Sequence, residues 1–312
     1  MEESKTIILP TGNVSLESNL GMYYIDMRPA EVHYTSNIWG GTFDGDGVPM
    51  CGNGKGDYLY FPINIAQYGF ILHSKYVENP EQDTLDKLLM CLEKLDKLAT
   101  VEKDYTVWYH NYYEVKYGIL PPWASAMAQG ELISFYLRMY QLLGKEKYLL
   151  TAGKAYNYLK IDYINGGVRR IDDKGDLWLE EYPSNPPSFV LNGFIYAIFG
   201  LYDLYRVTGR ADVKTDIDAC LLTLRRNLHR FDTGYWSRYD LLKRELVRYY
   251  YQRNVHVPQM DVLYQLTGEP VFRYYRDKWL ANVNPFNYLW VKIMYRVHWR
   301  LEVLKKWIGN GK

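Results

Sequence analysis

The run Glu180-Glu181-Tyr182-Pro183-Ser184-Asn185-Pro186-Pro187-Ser188 sets two carboxylates and a phenol beside a proline-stiffened turn. These groups suit proton transfer at carbon: a carboxylate takes a proton and a phenol returns one, provided burial and neighbours move their pKa values toward neutrality. From Phe189 onward the chain is apolar on almost every side, the pattern of a surrounded helix. Proline fits the first turn of a helix and nowhere deeper, so Pro186 and Pro187 bound that helix and hold the acid–phenol cluster at the mouth of a rigid element. Taken alone, Glu180 and Glu181 read rather as a solvated strand end than as catalytic groups.

The elements that must position this cluster recur. Phe135 to Gly144, Gly200 to Gly209 and Asp261 to Gly268 read as three copies of one helix end, each stopped by glycine. A second helical pattern follows each: Lys145 to Ile161, Ala211 to His229, and Pro270 to Asn282. Repetition at about 60–65 residues marks a helix pair that stacks as a solenoid or closes into a ring. Asp83 to Ala99 reads as a helix with one leucine stripe, and Asn287 to Trp307 as a last long helix. Insertions precede the inner helices expected at Trp123, Pro187 and Pro258. Tyr105 to Tyr113 and Gly167 to Tyr182 read as paired strands around a turn, the second turning at Asp172 to Gly175. If the inner helices run parallel, the insertions meet at one mouth and bring Glu181, Tyr182, Tyr239 and Tyr251 around one cleft.

The expected architecture is therefore mainly α, an (α/α) barrel or toroid of repeated helix pairs with inserted β-hairpins. Residues 1–64 form a small β-rich cap, with strand-like runs at Met22 to Met27, Glu31 to Thr35 and Tyr58 to Ile63, and residues 65–312 the barrel. Asp44-Gly45-Asp46-Gly47 lacks the spaced ligands of a calcium loop and reads as a turn. Gly52 to Gly56 does not fit a P-loop, since neither serine nor threonine follows Lys55.

Composition narrows the function. A net charge of +1 over 312 residues gives no dominant attraction to nucleic acid or an acidic membrane. The 32 tyrosines combine flat apolar faces with polar tips; most serve the core, and some suit a sugar-binding groove. Cys51, Cys91 and Cys220 are too scattered for a disulfide framework or a zinc site, so no metal is expected. Neither a secretory signal nor a membrane-crossing run is visible, and the chain reads as cytoplasmic.

At four places the chain resembles the glucuronyl C5-epimerases. Tyr60-Phe61-Pro62-Ile63-Asn64-Ile65-Ala66-Gln67-Tyr68-Gly69 is similar to that family's run ending in Ile-Ala-Gln-Tyr-Gly, and Trp123 to Gly130 to its next signature. Glu180 to Tyr205 resembles the third nearly residue for residue. Phe231-Asp232-Thr233-Gly234 with Tyr239-Asp240-Leu241 looks like the fourth. The resemblance implies an (α/α) barrel, no organic cofactor, a uronate polysaccharide as partner and a homodimer. It places the family's Glu-Tyr pair on Glu181 and Tyr182, a further tyrosine on Tyr239, and its last tyrosine on Tyr251. Gln252 stands where the family has histidine, and Leu242 where it has arginine; between Tyr76 and Tyr105 the chain is shorter than animal members.

Inverting carbon 5 of a uronate, as from D-glucuronate to L-iduronate, removes the proton beside the carboxylate and returns one to the other face. Glu181 and Tyr251 are the expected acid–base pair. Tyr182 and Tyr239 are expected to donate to the substrate carboxylate, with Arg169, Arg238 or Lys243 as counter-charge. Gln67, Tyr68, Trp123, Asn192 and His256 are the further candidates for sugar contact, although Asn192 and His256 taken alone read rather as structural groups. The Gly52 to Gly56 loop is expected to touch polymer or form a dimer contact. Two other functions fit the same residues: a uronate lyase on a similar barrel, and a catalytically silent glycan-binding protein.

Overall fold

The computed structural model describes residues 7–35, 40–52 and 56–309. A short helix α1 (Glu31–Thr35) precedes a first helix pair, α2 (Pro62–Glu78) and α3 (Gln82–Leu98). The second pair is α4 (Ala126–Leu143) with α5 (Glu146–Leu159), and the third α6 (Leu191–Thr208) with α7 (Ala211–Phe231). After the single turn α8 (Tyr249–Tyr251) the backbone widens into a π-turn over Gln252–His256. It then enters a fourth pair, α9 (Val257–Thr267) and α10 (Pro270–Ala281), followed by α11 (Pro285–Gly309).

The three expected glycine stops are present. Gly144, Gly209 and Gly268 adopt φ of 66°, 64° and 68°, and each N–H donates one turn back to Tyr140, Tyr205 or Tyr264. Only glycine takes this left-handed cap without strain. Helices α2, α4 and α6 pack side by side, with α3, α5 and α7 as their respective outer partners. The backbones of α4 and α6 nearly touch: a Cβ on Gly200 would lie 2.3 Å from the Gly130 carbonyl oxygen. Helix α9 reaches α6 through Gln259, whose Nε2 donates to the Asn192 carbonyl at 3.0 Å. The described pairs make a mainly helical assembly with small antiparallel sheets and no closed barrel.

Those sheets carry the insertions. β1 (Gly41–Phe43), β2 (Pro49–Gly52) and β3 (Tyr58–Leu59) form a three-stranded sheet. Its first turn is Asp44 to Gly47, where the Asp44 carboxylate accepts from Asp46 N, Val48 N and the Tyr60 hydroxyl. Next come β4 (Thr100–Val101) with β5 (Thr106–Val107), and β6 (Tyr109–His110) with β7 (Trp123–Ala124). Tyr105 to Tyr113 thus pairs outward to two partners instead of folding on itself. Helix α4 starts after Trp123, where Ser125 Oγ caps the Ala128 N–H. β8 (Arg169–Ile171) and β9 (Leu177–Leu179) form the expected hairpin.

The amino-terminal residues differ from expectation. Glu31 to Thr35 is helical, with Glu31 paired to Lys75 and Tyr34 buried against Tyr68. Only Tyr58–Leu59 of the third run is a strand, because Pro62 opens α2. Tyr23 stacks on Phe70 of α2, and Tyr24 lies against Phe199 of α6, so this segment shares the main core. The segment Gly52 to Gly56 lies partly outside the described residues. No helix among the described residues is long and apolar enough to cross a membrane.

Candidate active site

Strand β9 is buried along its length, and Glu180 and Glu181 continue it into the interior at 1% and 4% exposure. Neither is a solvated strand end. They do different work. Glu180 pins the turn: it accepts from Arg170 Nε at 3.1 Å, Ser188 Oγ at 2.9 Å and the Phe189 N–H at 3.1 Å. That turn occupies Ser184 to Val190, so α6 begins at Leu191 and not at the prolines.

Glu181 is less satisfied. Its Oε1 accepts from the Tyr239 hydroxyl at 3.1 Å, while buried Oε2 has no hydrogen-bond partner. Burial pushes its carboxyl up to about 7, against the opposing pull of the Tyr239 and Tyr182 phenols, the Lys116 ammonium and the Gly193 N–H. A carboxyl at that value changes its protonation state near neutral pH. It lies against the first turn of α6, where a Cβ on Gly193 would stand 2.2 Å from Oε2. Gly193→Ala is therefore expected to displace the carboxylate. Overpacking costs about 1–3 kcal/mol, while alanine returns about 1 kcal/mol of helix propensity. The net result is a modest fall in melting temperature with a larger loss of turnover. Calorimetry beside an activity assay checks this; turnover equal to wild type would mean the carboxylate yields freely.

Two adjoining cavities meet above Glu181. The inner one, about 310 Å³, is lined by Glu181, Asn192, Met127, Trp123, His110 and Cys51 among others. The outer one, about 320 Å³, is lined by Lys116, Tyr117, Tyr239, Glu245 and Arg248 among others. Tyr182 and Tyr251 border both. Each sits near the lower end of ligand-pocket volumes, about 300–1,000 Å³. Tyr182 rests on Tyr117 and Trp123, and Tyr239 meets Tyr251 edge to face at 5.9 Å. Burial, then the Glu181 charge, raises all three phenols Tyr182, Tyr239 and Tyr251 well above their ordinary value, so they stand as protonated donors.

The structure thus gathers Glu181, Tyr182, Tyr239, Tyr251, Trp123 and Asn192 around the cavities. Asn192 Oδ1 is buried and has no partner. The other candidates lie elsewhere. Arg169 is spent on Asp216 at 2.9 Å, Arg238 lines a neighbouring cavity beside Asp232 and Arg244, and Lys243 is exposed. Tyr68 packs in the core against Tyr34 and Phe43, and Gln67 donates to buried Glu131 at 3.0 Å. His256 is fully buried behind Tyr251, with Nδ1 2.9 Å from Ser237 Oγ. Burial lowers its pKa to about 3, so the ring is neutral. Gln252 anchors the same π-turn, accepting from Ser237 N at 2.8 Å and donating to the Trp279 carbonyl at 2.9 Å.

Sequence reasoning missed Lys116, which lines the cleft together with Arg248. It pairs with Asp240 at 3.2 Å and Glu245 at 2.9 Å and stands 4.5 Å over the Tyr239 ring. It also missed His110, stacked 4.3 Å from Trp123, and Tyr112 and Tyr117. Their signal was the Tyr-rich insertion 105–117 before Trp123. Among the described residues no group of three His, Cys, Asp or Glu is placed to hold a metal ion.

A helix-pair protein with a buried carboxylate ringed by phenols is a class, and comparison supplies the family. The model of the D-glucuronyl C5-epimerase C-terminus matches residues 97–281, and the chain belongs to that family. A D-glucuronyl C5-epimerase of Caenorhabditis elegans is 37% identical over 182 residues, which are 52% of this chain and 29% of that protein. The match thus spans less than a third of that relative's length. An uncharacterized protein of Methanocaldococcus jannaschii is 33% identical over 247 residues, 74% of this chain and 79% of its own. A solved complex of a UGL variant with dGlcA-Glc-Rha-Glc superposes at a TM-score of 0.47 and 13% identity, covering 70% of this chain and 60% of that one.

Proposed function

We propose that this chain is an epimerase that inverts carbon 5 of uronate residues in a polysaccharide, of the D-glucuronate to L-iduronate type, through a carbanion spread onto the substrate carboxylate. The observation that carries the reading is the unpartnered Glu181 Oε2, buried beside a cavity that the phenols of Tyr112, Tyr182 and Tyr251 also line. Glu181 takes the carbon-5 proton, and the electron pair moves into the carboxylate to give an enediolate. Tyr251 then gives its phenol proton to the opposite face of carbon 5. Burial raises the Tyr251 pKa most and the Glu181 charge next, and the second of these opposing effects lapses once Glu181 has become neutral in the preceding step. Proton return through solvent restores both groups. Tyr182 and Tyr239 donate to the enediolate, and Lys116 supplies the counter-charge assigned from sequence to Arg169, Arg238 or Lys243. In this reading the helix pairs are a section of an (α/α) toroid, and the cleft lies at its mouth.

Incubation with uronate polymers in heavy water tests the function: deuterium at carbon 5 is expected. Tyr251→Phe is expected to slow that exchange by about 10²–10³-fold, within the range of a lost general acid. Exchange at the wild-type rate would remove Tyr251 from the mechanism. An absorbance rise from unsaturated ends would instead assign a lyase, and binding with no exchange a silent glycan-binding protein.

A further inference from the structure

Helix α11 has two apolar faces, and the fold uses one. Val291 and Tyr295 pack against the cluster around Trp236 and Val247. On the face turned away, Phe286, Leu289, Trp290, Ile293 and Val297 recur every three or four residues and are 44–79% exposed. Soluble monomers rarely leave so continuous an apolar stripe uncovered. Arg296 and Arg300 are exposed along one edge of it, Lys292 one turn earlier lies over the Tyr288 ring at 4.4 Å, and the helix sequence adds Lys305 and Lys306. Its acidic complement is Glu302 alone, in a chain whose net charge is only +1, so the basic excess is local.

These charges decide between occupants. A second copy of α11 would bring the same cations and no row of acids to answer them. An anionic headgroup layer answers them directly, while the aromatic and aliphatic stripe enters the acyl boundary. We propose that α11 docks flat on an anionic bilayer surface. The helix lies on the membrane and does not span it. Its Met294 and Tyr295 border cavities next to the Glu181 cleft, so docking holds that cleft about one helix diameter, roughly 10–12 Å, from the lipid. The proposal does not depend on the epimerase reading.

The test is flotation of the full chain with phosphatidylcholine vesicles, with and without phosphatidylglycerol, at low and high salt. Binding to the phosphatidylglycerol vesicles, weakened by salt, is expected. Leu289→Ser with Ile293→Ser, and separately Arg296→Ser with Arg300→Ser, are each expected to lower partitioning at least about tenfold. Far-ultraviolet circular dichroism shows whether each variant stays folded, and the exposed Arg pair can change without touching packing. A wild-type chain that stays free of anionic vesicles overturns the proposal, as do variants that float like wild type. Sedimentation showing that the Leu289 and Ile293 changes split a dimer, with no vesicle binding, would assign the face to a second copy and overturn it too.

Discussion

Glu181→Gln is expected to slow carbon-5 exchange by about 10²–10⁴-fold, the usual contribution of a positioned base, while making the folded protein more stable at pH 8. The two effects have one cause. Burial lifts the Glu181 carboxyl from 4.5 to about 7 in the folded state. Between those values the native protein holds a proton that the unfolded chain has released, so stability falls as pH rises through the window. Above pH 7 the folded protein carries the full cost of a buried charge, at most about 3 kcal/mol at 1.36 kcal/mol per pKa unit. Glutamine keeps the shape and removes that cost. Denaturant melts of the two proteins at pH 5 and pH 8 check this: the stability difference should be small at the lower pH and favour glutamine at the higher. Wild-type kcat/KM should rise with pH through about 7, because the base works only when deprotonated. A variant that loses activity without gaining stability at pH 8 would mean that Glu181 is protonated or solvated in the resting protein.

The site was legible where chemistry and chain order coincide. Glu181 and Tyr182 are adjacent, and the apolar run behind them announces the helix that buries them. The glycine stops were equally plain, because a left-handed cap leaves glycine few substitutes. What failed were statements about direction. Arg169 sits two registers from the cleft on β8 and points to Asp216, and no local pattern distinguishes that from facing a substrate. Lys116 was invisible for the converse reason: its partners Asp240 and Glu245 are far along the chain, brought near only when residues 232–246 fold back across the start of α6. Of the short strand-like runs before residue 64, Met22 to Met27 does pair, Ile25 against Thr11, while Tyr23 faces α2 and Tyr24 faces α6. Gln252, which departs from the family's histidine, proves to be held by three hydrogen bonds inside the π-turn that follows Tyr251.

Asp203→Ala is expected to cost about 3–5 kcal/mol of folding stability, the range for removing one partner of a buried ion pair. Asp203 lies between two guanidiniums, accepting from Arg138 at 2.6 Å and Arg206 at 3.1 Å, and all three side chains are at most 1% exposed. Without it two positive charges stay buried with no counter-ion. The damage would not stay local, because the same arginines hold the amino-terminal segment: Arg138 donates to the Gly21 and Met22 carbonyls, and Arg206 to those of Glu17 and Asn19. An exposed pair sets the scale. Asp218→Ala, which breaks the Lys214 pair on the surface of α7, should cost no more than about 0.5 kcal/mol. Urea melts of both variants check the contrast, and near-equal losses would mean that solvent reaches the Asp203 network. The chemistry should survive in whatever fraction stays folded. Arg138 is eleven residues along α4 from the cavity-lining Met127, about 16 Å at 1.5 Å per residue. The rise of kcat/KM through pH 7 should therefore keep its midpoint in Asp203→Ala, which separates a loss of scaffold from a loss of Glu181.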